Sequence, residues 1–98
     1  ENASYPLCMC AERVALYAAS SQHPGKIVKK LAVVAHKKNH KELTGAAPCG
    51  ACRQVMLEYE QKQKSAIEIV IFADENKWAK SSAADDLLPM SFDSSKLL

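Results

Sequence analysis

The sequence has no long hydrophobic run. None of its apolar stretches approaches the roughly 20 residues that a helix needs to cross a bilayer, so no membrane partner is predicted. It also shows no basic start followed by an apolar stretch, which is the pattern of a secretory signal. The net charge is only +2, and no basic stripe carries interleaved aromatic residues, so no nucleic-acid partner is predicted. The 98 residues contain no repeat or linker, and we expect one domain over 1–98.

What the chain does have is four cysteines in two tight clusters. Cys8 and Cys10 form a C-x-C pair, and Cys49 and Cys52 form a C-x-x-C pair. Without a secretory signal, such clusters favour metal ligands in a reducing compartment over disulfides. We therefore expect a cytoplasmic protein.

Hydrophobic periodicity predicts an alternation of helices and strands. Apolar spacings of three and four indicate a helix that begins at Cys10 and ends before residues 23–25, and a second helix that follows Pro48. Strands are predicted at residues 31–36, as a buried strand, at 67–73, as the central strand, and at 77–80, as an edge strand, while residues 37–47 are predicted to form a loop. This order is typical of an α/β sheet with covering helices.

The second cysteine pair suits a metal. Two cysteines three residues apart at a helix start can point both sulfurs at one ion, and the positive helix end favours their thiolate form. A C-x-x-C alone could equally be redox-active, structural or incidental. With Cys10 as a third ligand, zinc would keep one position open for water, which is the arrangement of a catalytic site.

Two motifs together resemble a known family. C-A-E-R at residues 10–13 and P-C-G-A-C-R-Q at 48–54 resemble the paired signature of the zinc-dependent cytidine deaminases, a ligand-x-Glu segment followed by P-C-x-x-C. E-N-A-S-Y-P-L at 1–7, and L-L-P followed closely by Phe92, resemble the small homotetrameric branch. The resemblance implies a three-layer α/β/α sandwich with a mixed sheet, one Zn²⁺ per subunit and assembly into a homotetramer.

The resemblance also implies a reaction and its residues. Cys10, Cys49 and Cys52 would hold the zinc, and Glu12 would move protons as water attacks C4 of cytosine. Cytidine, and deoxycytidine as well, would be hydrolysed to the uracil nucleoside and ammonia, in pyrimidine salvage. Three thiolates on Zn²⁺ leave a net charge of −1, so Arg13 and Arg53 are expected to support the site with positive charge and N–H donors to the sulfurs.

Contacts with the small-molecule nucleoside follow from the same resemblance. Glu1 matches a glutamate that binds ribose, while the backbone of Ala3 and the side chain of Tyr5 match positions that line the site. The backbone of Ala11 would contact the pyrimidine. Phe92 matches an aromatic residue that packs over the base bound by a neighbouring subunit.

The sequence departs from the family pattern at its beginning. The family has an N-terminal helix and two strands before the position of Glu1, and it has an asparagine two residues before that glutamate. We therefore expect an N-terminally incomplete domain, with an exposed sheet edge and a weak hold on ribose. The 37–47 loop is longer than usual for the family, as a tolerated surface insertion would be.

Two other hypotheses remain open. All four cysteines could form a closed Cys₄ site in a structural zinc module, or the deaminase could act on another nucleoside-like substrate. In the deaminase hypothesis, Cys8 is expected to be a small buried apolar residue. Four glutamates are expected to be solvated charges: Glu42, Glu58, Glu60 and Glu68.

Overall fold

The computed structural model describes residue 3 and residues 8–97. In chain order, the helices and strands are α1 (Ala11–Gln22), β1 (Lys30–Val33), β2 (Ala35–His36), β3 (Leu43–Thr44), α2 (Gly50–Gln63), β4 (Glu68–Asp74) and β5 (Lys77–Ser81). Two 3₁₀ turns follow, Ala84–Leu87 and Ser94–Lys96. Within the described residues, no helix combines the length and the apolar character that crossing a membrane requires.

The main sheet is mixed, as predicted. β4 lies at its centre, β1 pairs with it in parallel, and β5 pairs with it antiparallel. The parallel register places Leu31 opposite Ile69 and Val33 opposite Ile71. Since alternate residues of a strand point to the same face, these four side chains form one apolar face of the sheet.

Both helices cover that face. The buried core joins Leu16 of α1 and Met56 of α2 to Ile69 of β4, all at 2 % exposure or less. Each such side chain contributes roughly 1.5–3 kcal/mol by leaving water. Cys52 is fully buried in the same core, so one predicted metal ligand is also a packing residue. The α/β class with covering helices is confirmed, and the described residues supply the sheet and one helical layer.

The single buried strand predicted for residues 31–36 is wrong in two respects. The chain leaves the main sheet after Val33, and β2 pairs instead with β3 inside the segment predicted as a loop. Val34 is 54 % exposed, and β1, an edge strand of the sheet within the described residues, alternates between exposed and half-buried residues because those residues cover only one of its faces. An apolar run shows that a strand can be buried, but it does not show whether other elements cover one face of that strand or both.

A close backbone approach brings β3 to the end of β4. The N–H of Gly45 donates to Asp74 Oδ1 at 3.3 Å, and the N–H of Ala46 donates to the carbonyl of Phe72 at 3.4 Å. A Cβ on Gly45 would collide with the carbonyl oxygen of Ala73. Only glycine therefore lets the chain pass here, four residues before Cys49.

Glu60 is not the solvated charge that the sequence suggested. It is 8 % exposed, and its carboxylate accepts hydrogen bonds from the backbone N–H groups of Ile67 (2.8 Å), Ala84 (2.7 Å) and Asp85 (3.1 Å). The three donors replace the water that the buried carboxylate loses. The four-residue spacing Cys52–Met56–Glu60 places it on the buried face of α2, a signal that its charge concealed.

Candidate metal and catalytic site

The predicted ligands lie at the starts of the two helices. Cys10 is the N-cap residue of α1 and Cys49 that of α2, and both have extended backbone angles. Their carbonyls accept the first helical hydrogen bonds, from Arg13 at 3.2 Å and from Arg53 at 3.0 Å. Both sulfurs therefore lie at the positive ends of the two helices.

Three sulfurs converge at this point. The Sγ atoms of Cys10 and Cys49 are 3.8 Å apart, those of Cys49 and Cys52 are 3.4 Å apart, and all three lie within 4.8 Å of one another. Thiolates at 2.3 Å from a tetrahedral zinc lie about 3.8 Å apart, so the group has the size that zinc requires. A disulfide needs about 2.05 Å between sulfurs, so these three cysteines are not paired with one another.

The protonation of the thiols also favours a cation. The pKa of Cys49 is lowered, chiefly because the backbone N–H of Cys52 donates to its sulfur. Burial, followed by the neighbouring sulfurs, raises the pKa of Cys52 to about 12. The protein alone therefore stabilises one thiolate readily and resists a second beside it. A divalent ion with thiolate affinity would remove that conflict, and the donor set fits zinc.

Arg13 supplies positive charge beside the sulfurs. Its Nη2 donates to Cys10 Sγ at 3.9 Å, and hydrogen bonds to Cys10 and then to Cys52 raise the pKa of the guanidinium. Its Nε is buried and has no hydrogen-bond partner among the described residues. The guanidinium therefore places positive charge beside the sulfurs of Cys10 and Cys52.

Arg53 acts through the backbone. Its Nε donates to the carbonyl of Pro48 at 2.8 Å and its Nη1 to the carbonyl of Leu87 at 3.5 Å. The sequence suggested donation to a sulfur, and these contacts instead brace the turn that precedes Cys49. The side chain also joins that turn to the first 3₁₀ turn near the end of the chain.

Glu12 lies beside the sulfur group. It is the second residue of α1 and half-buried, and its negative charge contributes to raising the pKa of Cys52. Ala11, the first residue of α1, is exposed at the same helix end. The charge of Glu12 is therefore close enough to the three sulfurs to act on Cys52.

Cys8 does not join the group. It is exposed, contrary to the burial expected of it, and among the described residues the metal-sized cluster comprises Cys10, Cys49 and Cys52 without it. This geometry disfavours the closed Cys₄ site.

The predicted substrate residues are spread over the chain. Ala3 is exposed, whereas Glu1 and Tyr5 lie outside the described residues. Phe92 follows the first 3₁₀ turn and is 57 % exposed, and the side chain of Gln54 donates to its carbonyl at 2.8 Å. Sequence reasoning missed Gln54, which follows Arg53 directly in the second motif.

Residues 1–68 match the model of a protein family described as the cytidine and deoxycytidylate deaminase zinc-binding region. The match covers both cysteine motifs and more than half of the chain. The chain belongs to this deaminase family. Zinc is the cofactor that the matched region and the group of three thiols together indicate.

Individual relatives agree with the family assignment. The chain is 52 % identical to a cytidine deaminase of Halalkalibacterium halodurans over 58 residues, which cover 59 % of this chain and 39 % of the relative. It is 42 % identical to a cytidine deaminase of Sporosarcina psychrophila over 59 residues, or 60 % of this chain and 39 % of the relative. The matched part thus spans well under half the length of these curated relatives.

A solved structure extends the similarity beyond the sequence match. The crystal structure of a cytidine deaminase from Burkholderia pseudomallei superimposes with a TM-score of 0.70 at 40 % identity, covering 94 % of this chain and 66 % of that one. The similarity thus includes β4, β5 and residues that follow the family match. The deaminase fold is shared over nearly the whole chain.

Proposed function

We propose that the protein is a hydrolase that deaminates cytidine and deoxycytidine to the uracil nucleosides and ammonia. The observation that carries the proposal is the convergence of three sulfurs on two helix starts, with Glu12 two residues after the first of them. Membership of the deaminase family supplies the reaction class. A role in pyrimidine salvage, in the cytoplasm, follows from this substrate and from the thiol chemistry.

Each residue at the site has a role in the proposal. Cys10, Cys49 and Cys52 hold the zinc, which supplies the Lewis acidity that makes water a nucleophile near neutral pH. Glu12 accepts a proton from the attacking water and delivers it to N3 of the pyrimidine. It then takes the remaining proton of the new C4 hydroxyl and passes it to the amine, so that the C4–N bond breaks, ammonia leaves and the C4 carbonyl forms. Positioned proton transfer of this kind contributes about 10²–10⁴-fold to a rate. Arg13 offsets the surplus negative charge of the thiolates.

The proposed substrate contacts come from other parts of the chain. Glu1 binds the ribose, and Ala3, Tyr5 and Ala11 line the pocket. Phe92 packs over the base held by a neighbouring subunit, which requires a homo-oligomer, and a tetramer is the proposed assembly. Large apolar side chains that are exposed in the single chain support an assembly, namely Val14 (50 %), Tyr17 (40 %), Trp78 (54 %) and Phe92 (57 %).

The test is conversion of cytidine to uridine by the zinc-loaded protein, followed as the fall in ultraviolet absorbance. Glu12→Gln keeps the size of the side chain and removes its proton-carrying carboxylate, so we expect turnover to fall by at least about 10²-fold with zinc content unchanged. Glu58→Gln, on the outer side of α2, is the matched control and should retain full activity. Failure of the zinc-loaded protein to deaminate cytidine would overturn the proposal.

Substrate choice is tested in the same assay. We expect cytidine and deoxycytidine to be preferred over free cytosine and over a cytidine-containing RNA oligomer. Preference for the free base or for the oligomer would contradict the nucleoside assignment while leaving the deaminase chemistry in place.

A further inference from the structure

Glu60 lies at the opposite end of α2 from the three converging sulfurs, and the proposed reaction does not use it. Its buried carboxylate satisfies three backbone donors from two separate parts of the chain, Ile67 before β4 and the pair Ala84 and Asp85. Charge-assisted hydrogen bonds of this type are about twice as strong as neutral ones. The interaction therefore joins three segments at one point.

The carboxylate caps the first 3₁₀ turn. Ala83, the N-cap residue of Ala84–Leu87, cannot cap the turn through its methyl side chain. The N–H groups of Ala84 and Asp85 would otherwise lack acceptors at a helix start. Glu60 supplies those acceptors from α2, and it thereby anchors the chain where residues 83–93, which we call the arm, begin.

Other polar side chains of α2 hold the rest of the arm. Arg53 Nη1 donates to the carbonyl of Leu87 at 3.5 Å, and Gln54 Nε2 donates to the carbonyl of Phe92 at 2.8 Å. Gln61 Nε2 donates to Asp93 Oδ2 at 3.2 Å. The helix that carries two proposed zinc ligands at its start thus fixes the arm along its whole length. Among the contacts with the arm, the bond from Ala84 to Glu60 is the fully buried one.

We propose that Glu60 is a positioning residue that sets the place of the arm, and with it Phe92, relative to the metal-binding end of α2. This inference rests on the proposed function, because Phe92 acts there as a contact for the nucleoside. Phe92 is 57 % exposed and its carbonyl accepts from Gln54, so its position depends on the tethers of the arm. A correctly placed arm tightens substrate binding and leaves the chemical step at Glu12 unaltered.

The decisive variant is Glu60→Gln, because it keeps the shape of the side chain and withdraws one of its two acceptor oxygens. We expect the KM for cytidine to rise about tenfold while kcat stays within about twofold, which marks a loss of binding rather than of chemistry. Amide exchange in peptides covering 83–93, measured by mass spectrometry, should accelerate about tenfold, with exchange in 30–36 unchanged. Zinc content should not change. Glu58→Gln, a surface carboxylate on the same helix, is the matched control and should alter none of these values.

A rescue separates positioning from general stability. Ala83→Asp places a carboxylate at the N-cap position, where it can accept from the N–H of the second or third residue of the turn. In the Glu60→Gln background, we expect it to restore slow exchange in the arm and to recover most of the rise in KM. A lower melting temperature in Glu60→Gln with KM and arm exchange both unchanged would overturn the inference.

Two further outcomes are distinguishable. If Glu60→Gln does not fold, Glu60→Asp keeps the charge and shortens the reach of the side chain by one methylene, and an unchanged KM and unchanged exchange of 83–93 in that variant would overturn the inference. If the unsubstituted protein neither binds nor converts cytidine, the proposed function fails and takes the nucleoside-binding part of the inference with it. Amide exchange of residues 83–93 in Glu60→Gln would then show by itself whether Glu60 holds the arm in place.

Discussion

Cys52 shows how one side chain can serve packing and chemistry together. It is fully buried among Leu16, Met56 and Ile69, yet its sulfur lies 3.4 Å from that of Cys49 at the edge of the core. Burial raises its pKa to about 12, so the free protein holds it as a thiol. Zinc would have to displace that proton, and in return it would gain a ligand that the core holds in place.

The ligand set predicts a difference between two cysteine variants. Cys52→Ser removes a sulfur from the metal-sized group, so zinc should fall well below one ion per chain. Cys8→Ser changes an exposed residue outside the group, and we expect close to one zinc to remain. Metal analysis by mass spectrometry after gel filtration measures both. Loss of zinc in Cys8→Ser would revive the closed Cys₄ site, because a structural zinc needs all four ligands.

At the scale of elements, each helix carries candidate metal ligands at its N-terminal end and core residues along the rest of its length. Cys10 and Cys49 are the N-cap residues of α1 and α2, and the buried faces of the two helices pack together on the β1–β4 face of the sheet. Two contacts fix the loop before α2. Arg53 donates to the carbonyl of Pro48, and Gly45 passes close to the backbone at the end of β4. The position of Cys49 thus depends on contacts remote from the sulfurs.

Two glycine variants test this dependence. Gly45→Ala would force the loop away from Ala73, and we expect a loss of about 1–3 kcal/mol in the free energy of unfolding together with weaker zinc binding. Gly50→Ala is the control, since a Cβ there meets nothing within 4 Å and alanine favours the helix that begins at this residue. Denaturant unfolding and zinc titration provide the measurements. Equal behaviour of the two variants would refute the role of the close approach.

The sheet predicts a dependence of stability on pH. Glu68 of β4 lies between Lys80 of β5 (3.2 Å) and Lys30 of β1 (3.3 Å), and first Lys80 and then Lys30 lower the pKa of its carboxyl from the ordinary 4.5. A lowered folded-state pKa means that the stabilisation is present above pH 4.5 and is lost as the pH falls through the folded value. Glu68→Gln should therefore melt below the unsubstituted protein at pH 7, and the difference should disappear in acid. A difference that does not shrink as the pH falls below 4.5 would contradict this account.

At the scale of the whole molecule, the sulfur group is the point where the two halves of the helical layer meet. Cys10 belongs to α1, whereas Cys49 and Cys52 belong to the turn and helix 39 residues later. An ion bound by all three therefore closes a long loop and binds the folded state alone. The metal should stabilise the fold as well as serve the reaction.

Removal of zinc by a chelator should lower the melting temperature. A ligand present at 100 times its dissociation constant adds about 2.7 kcal/mol, and each kcal/mol shifts a domain of this size by about 4–8 °C, so we expect a fall of at least about 10 °C. Calorimetry of the loaded and chelated protein measures it, with Cys52→Ser as a control that should not respond. An unchanged melting temperature would mean that the metal does not join the two helices.

Much of this protein follows from local sequence patterns. Both α-helices, the central strand over residues 67–73 and the start of the second helix after Pro48 were predictable, because spacing and turn residues act over a few positions. The two cysteine motifs likewise identified the family and its zinc, since the metal ligands and the candidate proton carrier lie within two short segments. These features depend on neighbours within one or two turns of chain.

The tertiary structure decided what depends on distant partners. It split residues 31–36 between two sheets, exposed Cys8, directed Arg53 to backbone carbonyls and buried Glu60 beneath the arm. In each case the sequence showed the type of residue, whereas the fold supplied the donor, the acceptor or the covering layer. A charged residue is expected in water until three N–H groups from other segments are brought to it, and only the folded chain brings them.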